Sequence, residues 1–442
     1  MDVMLLNEAG ERVERRKALL DLIKTTHPDK DGALLLCAGY EREREQFYQD
    51  STFHYFLGLQ EAAAMFYQPL HGANSLFLPN YAIDRTAWLP VTFDEESLAS
   101  LAIEQVELLG KPIMGYSTGP FYTSTSLETL IERLAQLCQD EQFLFAPLQD
   151  ISTECLLVMR QLFEYVPGLK EQTIDISPLI AQLRRTKSQS ELEYLYNAAE
   201  ITAMAHQAAA GVIKSGVYEA DVQAAIEYIY TESGARPAFA SIVGAGVNST
   251  ILHYVDNSAK LPDKGLVVVD IGASANHYCS DVTRTYPVAG KFSEAQKKVY
   301  QDVLDCQTYI AQLAAPGMFL RNKKQPDKCL NTLAHEFLKR RGYDVEKVFP
   351  HGVGHFVGLD VHDVGDYNEP LAVGDIITIE PGIYLRDKEL GVRIEDVYWI
   401  VKDGAICLTE EVPKKASEVE RFMQDARFTD NNDFYKTGPN EH

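Results

Sequence analysis

The sequence has little positive charge for its size. Among 442 residues, 41 Lys and Arg stand against 64 Asp and Glu, a net charge of −23. A chain this acidic has no general attraction for phosphate backbones or anionic lipids, so we expect no nucleic acid and no membrane among its partners. Long apolar runs are also lacking. The segments GALLLCAGY (32–40) and GLVVVDIGA (265–273) have the length of strands, well below the ~18 residues that a membrane span needs.

Cysteine is scarce and scattered. The seven cysteines are odd in number and form no CxxC pair, which argues against a disulfide framework or a cysteine zinc cluster. We interpret them as buried free thiols in a reducing compartment. The N-terminal segment MDVMLLNEAGERVERR is charged too early for a secretory signal. These features together predict a cytoplasmic protein.

What the chain does contain is typical of folded, multidomain proteins. Hydrophobic residues make up 46% and charged residues 24%, which excludes a mainly disordered chain. The length predicts two or three domains. Segment 166–187 is rich in turn residues and ends in basic ones, and we place the boundary there. We therefore predict an N-terminal domain over residues 1–170 and a second domain over residues 178–442.

The two halves differ in their patterns. The first mixes short apolar stretches with turn signals, which predicts a small α/β domain with a mixed sheet. In the second half, the pairs Ser188/Glu191 and Ser293/Gln296 have capping-box spacing and open two helices. We expect Gly216 to end the first helix. Four β-type runs lie between the helices, so the second half is predicted to be an α+β layer with helices on one face of a curved sheet.

Histidines cluster in one segment, PHGVGHFVGLDVHD. The chain has 11 histidines, and His351, His355 and His362 all fall within these fourteen residues. The neighbouring glycines allow close backbone approach, as functional loops require. Three imidazoles so close together would oppose one another's protonation, and a purely structural turn has no need of them. The segment is therefore a candidate site.

Acidic residues also stand inside apolar strands. Asp270 follows LVVV and Asp281 comes eleven residues later; Glu380 follows IITI and Glu395 comes fifteen residues later. Each pair is interpreted as a β-hairpin that contributes one carboxylate from each arm. Taken singly, each acid could merely end a strand or precede a turn. Burying four unpaired carboxylates would cost more free energy than a domain stable by ~5–15 kcal/mol tolerates.

Charge arithmetic indicates what would balance these acids. Four carboxylates carry −4, one neutral imidazole carries none, and two divalent cations supply +4. Oxygen ligands with one nitrogen and no sulfur favour Mn²⁺, Mg²⁺, Fe²⁺, Co²⁺ or Zn²⁺. Two such ions ~3.5–4 Å apart can activate a shared water and polarise a carbonyl, as in two-metal hydrolases. His253, in STILHYV, is a further candidate for the site, although a core role is equally compatible with its sequence.

Six ordered motifs resemble one protein family. The strings ILHY, VVVDIG, SDVTRTYPVAGKFSEAQ, PHGVGHFVGLDVHDVG, TIEPGIY and GVRIED resemble the catalytic domain of Xaa-Pro aminopeptidases (aminopeptidase P) and prolidases, the proline-specific pita-bread metallopeptidases. The resemblance covers residues 180–425 closely. It extends more weakly into a creatinase-N-like first domain, where QDSTFHYFLGLQEAAAMF resembles the family's N-terminal strand segment.

The resemblance implies roles for particular residues. Two Mn²⁺-like ions would be held by Asp270, Asp281, His355, Glu380 and Glu395. Asp281 and Glu395 would bridge the ions, Asp270 would bind one, and His355 with Glu380 would bind the other. Glu380 would also accept the proton of the attacking water. His253, His351 and His362 would line the site, with His362 near the scissile peptide and His351 on the proline side. Arg393 would orient the carboxylates or the substrate, although a plain ion pair with Glu395 or Asp396 is an alternative.

The implied reaction is hydrolysis of the bond between an N-terminal residue and a following proline, through a metal-bridging water. The family forms dimers and tetramers through its N-terminal domain, which predicts a homo-oligomer. A prolidase that cleaves only Xaa-Pro dipeptides is the main alternative, and the short gap between Glu380 and Glu395 favours the aminopeptidase. A non-catalytic pita-bread binding protein is more remote, because all five ligand positions hold residues able to bind a metal.

Overall fold

The computed structural model describes residues 2–41, 46–90, 92–116 and 123–430. They divide into two compact units, Met1–Arg184 and Arg185–His442. In the part of the chain so described, no helix is long and apolar enough to cross a membrane. All seven cysteines are free, and five of them are buried.

The first unit is built around a mixed six-stranded sheet in the order β4-β3-β2-β1-β5-β6. Its strands are β1 (Gly32–Cys37), β2 (Met65–Pro69), β3 (Ser75–Leu78), β4 (Gln105–Leu108), β5 (Phe143–Ala146) and β6 (Thr173–Asp175). Its helices are α1 (Asp2–Thr26), α2 (Ser51–Leu57), α3 (Glu95–Ser100), α4 (Glu128–Gln139), α5 (Thr153–Tyr165) and α6 (Ser177–Arg185). Strand β1 pairs antiparallel with β2 and parallel with β5, so the predicted mixed sheet is confirmed.

One segment of the first unit differs from the expected strand. Ser51–Leu57 forms helix α2, in which the Asp50 side chain accepts a hydrogen bond from the Phe53 N–H. Gly58 ends the helix in the left-handed conformation with a φ of 68°. Two caps over a short segment outweigh the β-propensity of its aromatic residues, because each cap satisfies backbone groups that a helix end leaves unpaired.

The second unit combines helices with four small sheets. Its helices are α7 (Gln189–Val212), α8 (Glu219–Glu232), α9 (Glu294–Leu313), α10 (Leu330–Arg340), α11 (Val345–Val348) and α12 (Ala416–Asp430). Its strands are β7 (Arg236–Pro237), β8 (Ile242–Ala245), β9 (Leu266–Ile271), β10 (Ala273–Ala275), β11 (Tyr278–Cys279), β12 (Val282–Pro287), β13 (Ile376–Ile379), β14 (Gly382–Leu385), β15 (Leu390–Arg393), β16 (Asp396–Val401) and β17 (Gly404–Cys407). The sheets have the orders β12-β9-β8, β13-β16-β17, β11-β10-β7 and β14-β15. The α+β class is confirmed.

Capping fixes where the long helices of this unit begin. Ser188 and Glu191 form a capping box at the start of α7, and Ser293 and Gln296 form another at the start of α9, as predicted. The predicted end of α7 at Gly216 is wrong. The helix stops at Val212, and Gly216 instead has a φ of 89° in the following turn. Its N–H donates to the Leu261 carbonyl there, so the glycine serves a loop contact rather than the helix end.

Candidate metal centre

Asp270 and Asp281 come from one antiparallel strand pair. Asp270 lies in β9 opposite Thr283, and Asp281 immediately precedes β12. Their relative exposures are 8% and 5%, so both carboxylates are largely removed from water. The structure thus confirms that two paired strands bring these two acids together.

Glu380 and Glu395 lie where strands change partners. Strand β13 pairs with β16 as far as Ile379 opposite Asp396, and β14 then pairs with β15. The two glutamates fall between these pairings, one on each chain segment. The backbone N–H of Glu395 also donates to the carbonyl oxygen of Thr283 at 3.1 Å. That bond joins the second pair of strands to the first, and it brings all four acids to one place.

His355 lies in the glycine-rich loop between α11 and β13. Its N–H donates to Thr378 Oγ1 at 3.1 Å, and its carbonyl accepts from the Thr378 N–H at 2.8 Å. Gly354 permits this approach, since a Cβ there would lie 2.1 Å from the Thr378 carbonyl oxygen. His355 Nδ1 lies 3.0 Å from the Phe356 carbonyl oxygen and therefore carries the proton. Its other ring nitrogen, Nε2, faces Asp281 Oδ2 at 3.4 Å.

The donor atoms at this point fit a metal ion. One carboxylate oxygen each of Asp281 and Glu395 and a ring nitrogen of His355 lie within 4.8 Å of one another. Glu380 Oε1 is 3.7 Å from His355 Nε2. Asp270 Oδ1 and Asp281 Oδ1 are buried with no hydrogen-bond partner among the described residues. Because buried polar atoms are nearly always paired, these oxygens lack a partner that divalent cations would supply.

The carboxylates also disfavour one another's charge. Burial, followed by the charge of Asp270, raises the pKa of Asp281 well above its usual value. Burial and then Asp281 do the same to the pKa of Glu395. Burial is the main cause that raises the pKa of Glu380 from 4.5 to about 7. Cations bound among these groups would restore the charged forms, since opposite charge favours ionisation.

Arg393 is the cation that the chain itself places here. Its Nη2 forms an ion pair with Asp270 Oδ2 at 2.5 Å, and its Nη1 donates to the Tyr384 hydroxyl at 2.9 Å. Its Nε donates to Thr283 Oγ1 at 3.0 Å, and that hydroxyl in turn donates to Glu395 Oε2 at 2.6 Å. The ion pair is thus with Asp270 rather than with Glu395. Sequence reasoning missed Thr283 and Tyr384, whose common residue types carry no signal of a site.

Of the three remaining predicted histidines, His351 is the most firmly held. Its Nδ1 lies 2.8 Å from the Gly352 carbonyl and its Nε2 lies 2.8 Å from the Tyr384 hydroxyl. Burial, and then the charge of Arg393, lowers the pKa of His351 to about 3. The ring is therefore neutral at physiological pH.

His362 and His253 are more exposed. The ring centroid of His362 lies 4.1 Å from that of His355. Partial burial, and then His355, lowers the pKa of His362 to about 4, so this ring is also neutral near pH 7.

A cavity of about 700 Å³ unites these groups. Its lining includes every site residue that the sequence predicted: His253, Asp270, Asp281, His351, His355, His362, Glu380, Arg393 and Glu395. The apolar part of the wall comes from Phe239, Ala240, Ile242, Leu252, Val255, Pro350 and Val361. Arg321 also lines the cavity, and no motif in the sequence singled it out.

Comparisons with known proteins agree with this geometry. Residues 193–402 match metallopeptidase family M24. The Xaa-Pro aminopeptidase of Escherichia coli is 36% identical over 279 residues, which cover 58% of this chain and 63% of that protein. The Xaa-Pro dipeptidase of Pyrococcus furiosus is 39% identical over 240 residues, which cover 53% of this chain and 66% of that protein. The chain thus spans somewhat less than two thirds of the length of these curated relatives.

A solved structure extends the likeness to nearly the whole chain. A low-pH form of aminopeptidase P from E. coli has a TM-score of 0.78 and 28% sequence identity, and it covers 95% of this chain and 99% of that one. The resemblance that the sequence motifs indicated, including the pita-bread class of the second domain, is confirmed.

Proposed function

We propose that the protein, whose residues 193–402 match metallopeptidase family M24, is a dinuclear-metal Xaa-Pro aminopeptidase. It would hydrolyse the bond between an N-terminal residue and a following proline. The observation that carries the proposal is the convergence of all nine predicted site residues on one cavity, with two buried carboxylate oxygens left unpaired.

The proposed ligand set is the one inferred from the sequence. Asp270, Asp281, His355, Glu380 and Glu395 would hold two divalent cations, with Mn²⁺ as the first candidate and Co²⁺, Zn²⁺ and Fe²⁺ as alternatives. Such ions, when bound, lower the pKa of a water ligand and polarise a peptide carbonyl. A paired site of this kind neutralises the four carboxylates.

The chain's own residues would handle the proton and the substrate. Glu380, whose carboxylate the bound cations would keep in its charged form, would accept a proton from water. Neutral His362 would hydrogen-bond the scissile peptide. His351, held by the Tyr384 hydroxyl, would lie on the proline side. Arg393 would keep Asp270 in place through their ion pair.

The absence of an N–H group on an Xaa-Pro bond explains why such a site would be selective. An aminopeptidase that needs the amide hydrogen bond recognises this bond poorly, whereas an apolar wall can accept the proline ring by its shape. A free substrate amine, being positive, would be favoured in an acidic site. We further propose cytoplasmic action, in keeping with the free cysteines, and assembly into a dimer or tetramer.

The test is turnover of a peptide series after chelation and after addition of Mn²⁺. We expect cleavage of Ala-Pro-Ala-Ala but not of the matched Ala-Ala-Ala-Ala, and only with metal present. The variant His351→Ala should lower turnover without loss of bound metal, since this histidine is not among the proposed ligands. Loss of metal from that variant would show that the roles of His351 and His355 are interchanged.

An Xaa-Pro dipeptidase is the second candidate. The 39% identity to the P. furiosus dipeptidase favours it specifically, and both classes share the motifs of the site. A length series of Xaa-Pro, Xaa-Pro-Yaa and longer peptides separates the two, because a dipeptidase cleaves only the first. We expect the longer peptides to be cleaved.

A further inference from the structure

Arg321 is the one cation on the cavity wall, within the described residues, that forms no ion pair with a carboxylate. It lies in the segment between α9 and α10. Three other arginines of this unit are balanced: Arg393 pairs with Asp270, Arg284 with Asp396, and Arg185 with Asp375. Arg321 is exposed to solvent at the cavity wall, so in a protein with a net charge of −23 its guanidinium is accessible to a ligand of the opposite charge.

The guanidinium is nevertheless held in a defined orientation. It packs against Gly352, where an added Cβ would lie 2.6–2.8 Å from three of its atoms. It also lies over the ring of Tyr367, 4.8 Å from the centroid. Its Nη2 donates to the Gly354 carbonyl at 3.2 Å. A planar group fixed by backbone and ring keeps its other N–H groups available and loses little freedom on binding a carboxylate.

The place of Arg321 indicates which part of a substrate it would meet. Gly352 directly follows His351, which the proposed function puts on the proline side of the scissile bond. Beyond the proline, the substrate peptide continues toward its C-terminus, and each successive residue advances by at most ~3.3–3.6 Å. In a short peptide the terminal carboxylate is therefore near this side of the cavity.

We infer that Arg321 is a specificity-determining residue that binds the terminal carboxylate of short Xaa-Pro peptides. This inference rests on the proposed function and deepens it: among the Xaa-Pro substrates, dipeptides and tripeptides with a free C-terminus would be bound more tightly than their C-terminal amides. The planar guanidinium suits two parallel hydrogen bonds to a carboxylate, which a lysine ammonium cannot make in the same way.

The experiment compares free acids with C-terminal amides. With Mn²⁺ present, kcat and KM are measured for Ala-Pro, Ala-Pro-NH₂, Ala-Pro-Ala and Ala-Pro-Ala-NH₂, and inhibition constants for Pro-Ala and Pro-Ala-NH₂. The proteins are the unmodified chain, Arg321→Gln, Arg321→Lys and the control Lys323→Gln. Lys323 is exposed, lies two residues away and is not part of the cavity wall, so its variant removes the same charge outside the site.

We expect the unmodified protein to prefer the acid by about tenfold in kcat/KM, mainly through KM, as a charged hydrogen bond provides. Arg321→Gln should bring the acid-to-amide ratio near one for cleavage and for inhibition. Arg321→Lys should retain part of the preference, and Lys323→Gln all of it. An acid-to-amide ratio in Arg321→Gln equal to that of the unmodified protein would overturn the inference alone. Failure of the unmodified protein to cleave any of the peptides would overturn the proposed function and this inference with it.

Discussion

Glu395 and Asp396 are neighbours in sequence and are both buried, yet their surroundings shift their pKa values in opposite directions. Burial by itself would raise the pKa of Asp396, but Arg284 at 2.6 Å and Lys414 at 2.7 Å lower it below 3.8. Burial and the charge of Asp281 raise the pKa of Glu395. The Glu395 carboxylate accepts a hydrogen bond from the neutral hydroxyl of Thr283.

The contrast separates a structural carboxylate from a ligand. Successive side chains of a strand point to opposite faces, so one acid meets cations of the chain and the other meets the cavity. In the Asp396 cluster (Asp396, Arg284 and Lys414), the negative charge is balanced without any added group. The Glu395 cluster (Asp270, Asp281, Glu380 and Glu395) carries more negative charge than the chain balances, and this excess makes it a candidate metal centre.

The variant Asp281→Ala tests the Glu395 cluster and has the largest expected effect. It removes a proposed bridging ligand, so turnover of an Xaa-Pro peptide should be abolished while the far-ultraviolet circular dichroism stays unchanged. Metal content, measured on the same sample, should fall. The exposed Asp387→Ala serves as the matched control and should keep activity. Normal turnover in Asp281→Ala would contradict the ligand assignment.

The variant Arg284→Met tests the Asp396 cluster. It leaves Asp396 buried with Lys414 as its remaining cation, and removing one partner of a buried pair costs about 3–5 kcal/mol of unfolding free energy. Urea denaturation measures the loss. The double variant Arg284→Met/Asp396→Leu should recover much of it, because the buried carboxylate is gone and Lys414, which loses its partner, is partly exposed to water. A cost below about 1 kcal/mol in the single variant would show that Asp396 does not depend on Arg284.

After chelation, the carboxylates of the candidate metal centre, but not Asp396, should make the stability of the protein depend on pH near neutrality. Without metal, Glu380 keeps its proton up to a pKa of about 7 in the folded state, against 4.5 ordinarily. The folded state then binds more protons than the unfolded one, so the free energy of unfolding falls as pH rises from 4.5 through 7. The lowered pKa of Asp396 contributes nothing in this window, since it titrates below 3.8.

The measurement is thermal unfolding with and without chelator at pH 5 and pH 8. Chelation should destabilise the protein by about 2 kcal/mol more at pH 8, or several degrees in Tm. Arg284→Met should not alter that difference, whereas Glu380→Gln should reduce it. An equal effect of chelation at both pH values would contradict the expectation.

The smallest expected effect is that of removing the Thr283 hydroxyl, which lies between Glu395 and Arg393. Thr283→Val removes the donor to Glu395 Oε2 and the acceptor for Arg393 Nε. A lost partner of a ligating group commonly weakens metal binding about tenfold or more. Calorimetric titration of the metal-free protein with Mn²⁺ measures the affinity for the metal, and Thr283→Ser should restore that affinity. Unchanged affinity in the valine variant would show that the hydroxyl does not position Glu395.

Much of the site could be predicted because charge inside apolar strands is visible in a sequence. Asp270, Asp281, Glu380 and Glu395 stood out for that reason, and their strands pair as expected. Asp396 could not be told from Glu395, since the difference lies in Arg284, 112 residues away in sequence. Helix α2 was missed because local caps, rather than residue composition, decided its conformation.

The sequence by itself determined the kinds of chemistry available: acids and imidazoles without thiolate pairs, set in strand-forming segments between capped helices. Only the tertiary structure decided which acid is balanced by the chain, which histidine nitrogen faces the carboxylates, and that Arg321 reaches the cavity wall. The physical reason is that pattern and capping act over a few residues, whereas charge balance and burial depend on groups that only the folded chain brings within a few ångströms.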